Sequence, residues 1–572
     1  MRWRKISQTK TKKEIVFEKF EGVDTRGGHK RPTGTSELVN FRVLEDGSLK
    51  KREGYRRISE LDGELRAVWT GKIEGESRCY LLVGNAVMEM KSDGSLVKAA
   101  VAQTSEGDAT FFFYQKRLYL IDGTDITYLS SGTLRSPTGY VPLVGKGWKD
   151  GEVGKINEPR NILSNKARYN YTIGSDVIGI LYFDCKVGEI NAVYVNGKEH
   201  SKNNYVLFTH GMSVSVSGLK SYDSVDVFVT YAQQDSRLAS LKANTGATVF
   251  GGANNSRPFL WGNPNNKSVV YSSGYVSESQ VFDSQIAFPE SDALYFPAGR
   301  EFSVGDGQYT VRAIGRHYDR MLIFTEGGAW MANDADCAAT DVPVMNINTR
   351  VGVVSKNAVA EMGNQPCTVA SDGIYRWNSD TDELNDFNAY SISEPINYKL
   401  PKSFFGEASV WANVSKKEFV FTYPNDEGSV WVYSVDSGAW SKFEGVYAER
   451  FFDFFGQAAF IRDKSVYVFD EAESTDIGET ITATFESNLF DFDTSAPKRL
   501  SQIELSCDEG LLEIEIFLDG ASRPRAVAIL EDMGHKRHVR RMCTPRFAQA
   551  RVRISAGGEQ RQTIHSMKIK TR

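Results

Sequence analysis

The feature that most constrains this chain is a rhythm of short apolar segments, each stopped by a turn signal. Cys79-Tyr80-Leu81-Leu82-Val83 ends at Gly84-Asn85, and Arg117-Leu118-Tyr119-Leu120-Ile121 ends at Asp122-Gly123. Met321-Leu322-Ile323-Phe324 runs into Glu326-Gly327-Gly328. Glu418 to Tyr423 runs into Asn425-Asp426-Glu427-Gly428, and Val430 to Ser434 into Asp436-Ser437-Gly438. Aromatic and β-branched residues suit a pleated, half-buried surface, and glycine and aspartate supply the turns between such strands. No long amphipathic helical period interrupts the pattern; a turn of helix is expected near Ser391–Tyr398. The chain is expected to be all-β.

A second regularity sits on the first: an apolar strand, a turn, then a strand carrying an aromatic. It recurs at Arg257–Gly262, Gly328–Met331, Asp372–Trp377, Val430–Tyr433 and Lys464–Phe469. Degenerate units of this kind fit the blades of a β-propeller, small sheets that cannot bury a face alone. The spacing is irregular and no WD or kelch signature is present, so an array of β-sandwiches is the competing arrangement. At 572 residues, with 41% hydrophobic side chains, the chain has material for two to four domains.

Two stretches break the rhythm. From about Lys146 to Ala232, a meander containing Val193-Tyr194-Val195-Asn196-Gly197 and Val225-Asp226-Val227-Phe228-Val229 reads as an inserted β-sandwich. From about Glu479 onward, Thr482–Phe485, Gln502–Leu505, Leu512–Leu518, Arg551–Ile554 and Ser566–Lys570 alternate cleanly, as strands with one wet face do. This stretch reads as a separate C-terminal β-sandwich.

The net charge of −5 is close to balance for so long a chain, whereas a dedicated nucleic-acid binder is usually basic. Near-neutrality by itself rules out nothing about nucleic acid. Cys79, Cys185, Cys337, Cys367, Cys507 and Cys543 are too scattered for zinc ligation or a disulfide framework, and are expected to be buried thiols in a protein made in a reducing cytosol. No apolar run reaches membrane-spanning length, and the basic N-terminus has no apolar stretch behind it, so neither membrane insertion nor a signal peptide is expected.

Motifs with a chemical mechanism are missing: there is no GxxxxGKS, HExxH, GxSxG, or GxGxxG opening a helix. His535 and His538 lie in a basic run without a completing ligand. The acidic stretch Asn378–Asn385 lacks the glycine and distal glutamate of an EF-hand and reads as a solvated loop. No catalytic residue, metal or cofactor is expected. Two basic features stand out. One is the cluster Arg523, Arg525, Lys536, Arg537, Arg540, Arg541 and Arg546, either a solvated face balanced by Glu513, Glu515, Glu531 and Asp532, or a subunit-contact or DNA-facing surface. The other is an N-terminal arm, Arg2, Arg4, Lys5, Lys10, Lys12 and Lys13, which could dock on a neighbouring subunit.

Near the N-terminus, Leu38-Val39-Asn40-Phe41 is followed by Asp46-Gly47-Ser48-Leu49 and then Lys51-Arg52-Glu53-Gly54-Tyr55. Asp46-Gly47 supplies the positive-φ positions of a hairpin turn. This pattern resembles the opening of the tail nozzle proteins of short-tailed bacteriophages, also called tail tubular protein B or packaged-DNA stabilisation proteins, where a similar hairpin opens a β-propeller. Further stretches are similar to that family in the same order: Tyr309–Gly315 with Asp319–Phe324 and Gly328–Trp330, Asn348–Gly352 with Thr368–Tyr375, Trp431–Asp436 with Gly438–Ser441, and Ser487–Phe490 with Lys498–Leu500. The module from Lys146 to Ala232 departs from the shortest family members.

The resemblance implies a virion tail protein, made in the bacterial host cytoplasm, that forms a ring of six copies below portal and adaptor proteins. It implies contact with tail fibre or tail needle proteins and transient passage of double-stranded DNA, with no catalytic residues. The expected division is a basic arm at 1–14, propeller at 15–145 and 236–475, an inserted sandwich at 146–235 and a C-terminal sandwich at 476–572. Two other classes compete: a propeller that binds or cleaves surface glycan, and a cellular propeller scaffold that binds peptides.

Overall fold

The computed structural model describes residues 13–26, 34–251, 256–332, 342–378, 384–423, 428–494, 496–508, 510–530 and 536–572. The fold is all-β, with helices confined to short connections, of which Glu278–Gln285 is capped by the reciprocal Ser277–Gln280 pair. Near the expected helical turn, Asn397–Lys399 forms a single turn of 3₁₀ helix.

Among the described residues, seven four-stranded antiparallel units follow one another. They begin with the strands Leu65–Ile73, Thr110–Tyr114, Gly246–Phe250, Val311–His317, Val359–Met362, Ser409–Asn413 and Arg450–Phe454. Each of these first strands contacts the next, and the seventh contacts the first, so the units close into a propeller. The turn-bounded aromatic segments are the second and third strands of the blades: Arg117–Ile121 pairs with Thr110–Tyr114, and Gly328–Ala332 with Arg320–Thr325. The seventh blade contributes three strands of its own, ending with Ser465–Asp470, and takes its fourth, Gly54–Glu60, from near the N-terminus. Closure by a strand from the far end of the sequence hides an edge that would otherwise stay open.

The inserted segment leaves after the second blade and returns before the third. A five-stranded sheet that includes Lys166–Thr172, Ser224–Tyr231 and Val187–Val195 faces a three-stranded sheet of Ile180–Tyr182, Ser213–Val216 and Tyr205–Leu207. Tyr169, Tyr171, Phe183, Val214 and Val227 fill the shared core. The C-terminal strands form two sheets, and here the structure departs from the expected division. Phe41–Val43 and Leu49–Lys51, the hairpin expected to open the propeller, join the last strand, Thr563–Thr571. Glu14–Phe17 pairs with that same strand, and Thr35–Val39 with Ala483–Ser487. The N-terminal strands before residue 52 are therefore part of the C-terminal sandwich. A short strand's alternation says which face is buried but not which strand it meets.

Val39 also bridges to Lys442, so the sixth blade and one sandwich sheet run on as a single nine-stranded sheet. One core joins Phe17, Phe41 and Phe485 of the sandwich to Trp377, Phe421 and Trp440 of the propeller. The two parts are not beads on a string.

Gly54 begins the closing strand where the backbone of residue 475 passes over it. A Cβ at this position would lie 2.0 Å from the Thr475 carbonyl oxygen. Gly54→Ala should therefore force the backbone apart and cost about 1–3 kcal/mol or more. Gly406→Ala, at a site with open space around its Cβ, should change the melting temperature little. Thermal unfolding of the two variants checks the closure.

Candidate functional site

Three places in the fold can bear function: the joint between propeller and sandwich, the outer edge of the sandwich, and the propeller axis. The joint is built from the residues of the N-terminal motif. Asn40 takes a left-handed backbone conformation, φ 54°, which asparagine tolerates better than most residues. Its backbone N–H donates to Lys442 O at 2.8 Å, and its side-chain amide donates to Thr482 O at 2.9 Å. Its Oδ1 accepts from Glu444 N and from Arg52 Nε, both at 2.9 Å.

Arg52 is fully buried and spends all five guanidinium donors. Nε reaches Asn40, Nη1 reaches Glu53 O at 3.0 Å and Asp476 Oδ1 at 2.8 Å, and Nη2 reaches Glu444 O at 2.9 Å and Asp476 Oδ2. Beside it lies a second ionic group. Arg42 contacts Glu418 at 2.7 Å and Glu53, while Lys416 contacts Glu53 at 3.0 Å and Glu471 at 3.0 Å. Burial works against the Glu53 carboxylate, but Arg42 and Lys416 outweigh it and hold its pKa down to about 2. The joint thus ties the sixth blade, the closing strand and the first sandwich strand through buried, matched charges.

The basic cluster lies mostly at the sandwich's outer edge. Lys536–Arg541 is an edge strand paired with Leu500–Cys507. Its pairing splits the cluster: Arg537, Val539 and Arg541 stand opposite Ser506, Glu504 and Gln502, whereas Lys536, His538 and Arg540 stand opposite the buried Cys507, Leu505 and Ile503. Arg537 pairs with Glu504, which also holds Lys570. Arg523 and Arg525 are exposed on the connection into the opposite sheet's edge strand, Ala526–Leu530, and Arg546 is exposed beyond the Lys536–Arg541 strand. Val527, Ile529 and Val539 are exposed along the same two edge strands. Of the N-terminal arm, Arg2, Arg4, Lys5, Lys10 and Lys12 lie outside the described residues. Lys13 is tied to its own chain, its carbonyl accepting from Thr571 N at 3.0 Å.

The axis is lined by Ala67, Ala109, Ala247, Ala313 and Ala360 together with Phe111, Trp261 and Ile314, around a cavity of about 350 Å³. A second cavity of about 250 Å³ shares the Lys356, Asn357, Val359 and Arg450 wall. Elsewhere, a cleft of about 600 Å³ is lined by Tyr119, Tyr275 and Phe282 with Glu278 and Asp292. Burial raises the Asp292 pKa although Arg117 stands 2.9 Å away. Spacing along the sequence gave no sign of this cleft, because Arg117 and Asp292 are brought together only by the fold.

Cys79, Cys367 and Cys507 are buried as expected, Cys185 is half-buried, and Cys543 is exposed, contrary to expectation, on the connection after the edge strand. Cys337, His535 and residues 379–383 of the acidic stretch lie outside the described residues. Among those that are described, no group of three or more His, Cys, Asp or Glu is placed to hold a metal ion.

No family model matches the chain, and no relative is found among curated proteins. Among solved structures it is similar to virginiamycin B lyase from Staphylococcus aureus, with 7% identity over 72% of this chain and 97% of that one and a TM-score of 0.34. It is also similar to exo-β-1,3-galactanase from Phanerochaete chrysosporium, with 10% identity over 83% and 97% and a TM-score of 0.18. Scores this low carry no argument about what the chain does.

Two outcomes are expected at the joint. Arg52→Met leaves the half-buried Asp476 without its cation and should cost about 3 kcal/mol, part of which Asp476→Leu in the same chain should restore. Glu53 has a depressed pKa, so its contribution is present above the unfolded value of about 4.3 and is lost as pH falls toward about 2. The melting temperature should drop between pH 5 and pH 3, and less steeply in Glu53→Gln, as followed by circular dichroism.

Proposed function

We propose that this chain is a structural subunit of a phage tail nozzle, a member of a ring that retains packaged DNA and forms the conduit for its ejection, without catalysing a reaction. The observation that carries the reading is the joint. Asn40, Arg52 and Gly54, which belong to the first of the motifs that carry the sequence resemblance, are the residues that lock propeller, closing strand and sandwich together. A part that must hold against packaged DNA gains from having its domains fused through one core and one buried ionic cluster. The propeller's own axis is far too narrow for a duplex, so the conduit in this reading runs between copies. The exposed edge strands with Arg537, Val539 and Arg541 are the surface offered to a neighbour, the portal or a fibre protein.

A glycan-cleaving propeller is the second reading, favoured by the aromatic cleft that holds Asp292 and Glu278. Paired carboxylates and aromatic walls are what glycoside hydrolysis uses.

Negative-stain imaging and native mass spectrometry of the full chain, alone and with the portal complex of its phage, separate the two readings. The nozzle reading expects a monomer or weak oligomer alone and a sixfold ring on the portal, weakened by salt. Arg541→Glu should lower incorporation with little change in melting temperature, whereas Arg537→Glu should also destabilise by unpairing Glu504. A chain that stays monomeric with the portal and hydrolyses a polysaccharide, with activity lost in Asp292→Asn and Glu278→Gln, would overturn it.

A further inference from the structure

The wall shared by the two axial cavities carries a charge that the fold does not use. Arg66, just behind it, donates to Gly107 O and Gly84 O at 2.9 Å, to Thr104 O at 2.7 Å and to Thr104 Oγ1 at 2.9 Å. Arg450, on the first strand of the seventh blade, is different. Among the described residues its guanidinium makes one hydrogen bond, from Nη1 to Arg66 O at a long 3.4 Å. Four of its five donors remain for the cavities it lines. Lys356 lines the same two cavities, and its Nζ lies 2.6 Å from Asp108 Oδ1. Asp108 is the carboxylate that both cations share. Burial disfavours the charge on each, which a buried site tolerates only when a counter-charge is near.

We infer that the axis holds a site for a small phosphate-type anion, bound between the Arg450 guanidinium and the Lys356 ammonium. A guanidinium fork beside an ammonium matches the several oxygens of a phosphate group, which can accept from both at once. The alanines from five blades keep the approach open without competing acceptors. Glu361 lines the larger cavity too, and one of its oxygens is already engaged, accepting from the Arg316 backbone N–H. A cavity of about 350 Å³ admits inorganic phosphate or pyrophosphate and shuts out a duplex.

The test is isothermal titration of the full chain with inorganic phosphate and pyrophosphate, alongside melting curves in phosphate and in sodium chloride of equal ionic strength. The site predicts saturable binding and a melting shift that chloride does not reproduce. Arg450→Gln should weaken binding about tenfold or more, as loss of charge-assisted hydrogen bonds does. Lys356→Gln, which leaves the guanidinium in place, should also weaken it and serves alone if Arg450→Gln does not fold. Arg541→Gln, on the distant sandwich edge, should bind as the parent does. Equal shifts in phosphate and chloride, or binding lost equally in Arg541→Gln, would overturn the site.

Discussion

Arg52 is the constraint on which the rest of the structure depends. A guanidinium with no exposure is costly unless every donor is matched, and here all five are. The matching fixes geometry in three directions: toward the sixth blade through Glu444, toward the outer edge of the seventh through Asp476, and toward the sandwich through Asn40, whose amide donates to Thr482 O. None of these elements can shift without stranding a donor. Arg42, Glu53, Glu418 and Lys416 extend the same logic next to it, with acids and bases alternating in contact.

The N-terminal segment gives the architecture its order of assembly. Strands from the first fifty residues close a sandwich otherwise made from the last ninety, and the next strand closes the propeller. Such contacts have extreme sequence separation, so loop-closure entropy opposes them until nearly all of the chain is present. Once made, they close the ring and fix it to the sandwich, whose Lys536–Arg541 and Ala526–Leu530 strands remain edges. The inserted module is the opposite case. It has a core of its own, and among the described residues its strands pair with one another, so it can be carried by the propeller without entering its closure.

Local structure was legible in the sequence wherever a strand and its partner are neighbours. Segments such as Arg117–Ile121 and Gly328–Ala332 announce themselves by alternation and by the turns that bound them, and their partners are the strands just before and after them in the sequence. The opening hairpin was legible as a hairpin but not in its placement, because nothing in Phe41–Val43 encodes that Thr563–Thr571 lies beside it. The basic cluster was visible as a run, yet a run on a strand is dealt alternately to two faces. That split follows from the pleat alone once Lys536–Arg541 is known to be a strand. The axial site left no trace in the sequence: Arg450, Lys356 and Asp108 come from three different parts of the ring, and each looks ordinary in its own neighbourhood.

The contrast between Arg52 and Arg450 separates the parts of the molecule that serve the fold from those left free to serve something else. Both guanidiniums sit inside the protein on a propeller strand or at its threshold, and both suffer desolvation. One is saturated by backbone and side-chain acceptors gathered from three elements; the other, among the described residues, makes a single long hydrogen bond, has Asp108 as its counter-charge, and faces open volume. A fold that can satisfy one arginine so completely has the means to satisfy a second, or to replace it with an apolar residue at no loss, since buried charges are weak contributors to stability in themselves. An unspent charge on the axis is therefore better understood as an offer to a ligand than as an accident of packing. In the site inferred above, a small external anion joins Asp108 as counter-charge to Arg450 and Lys356.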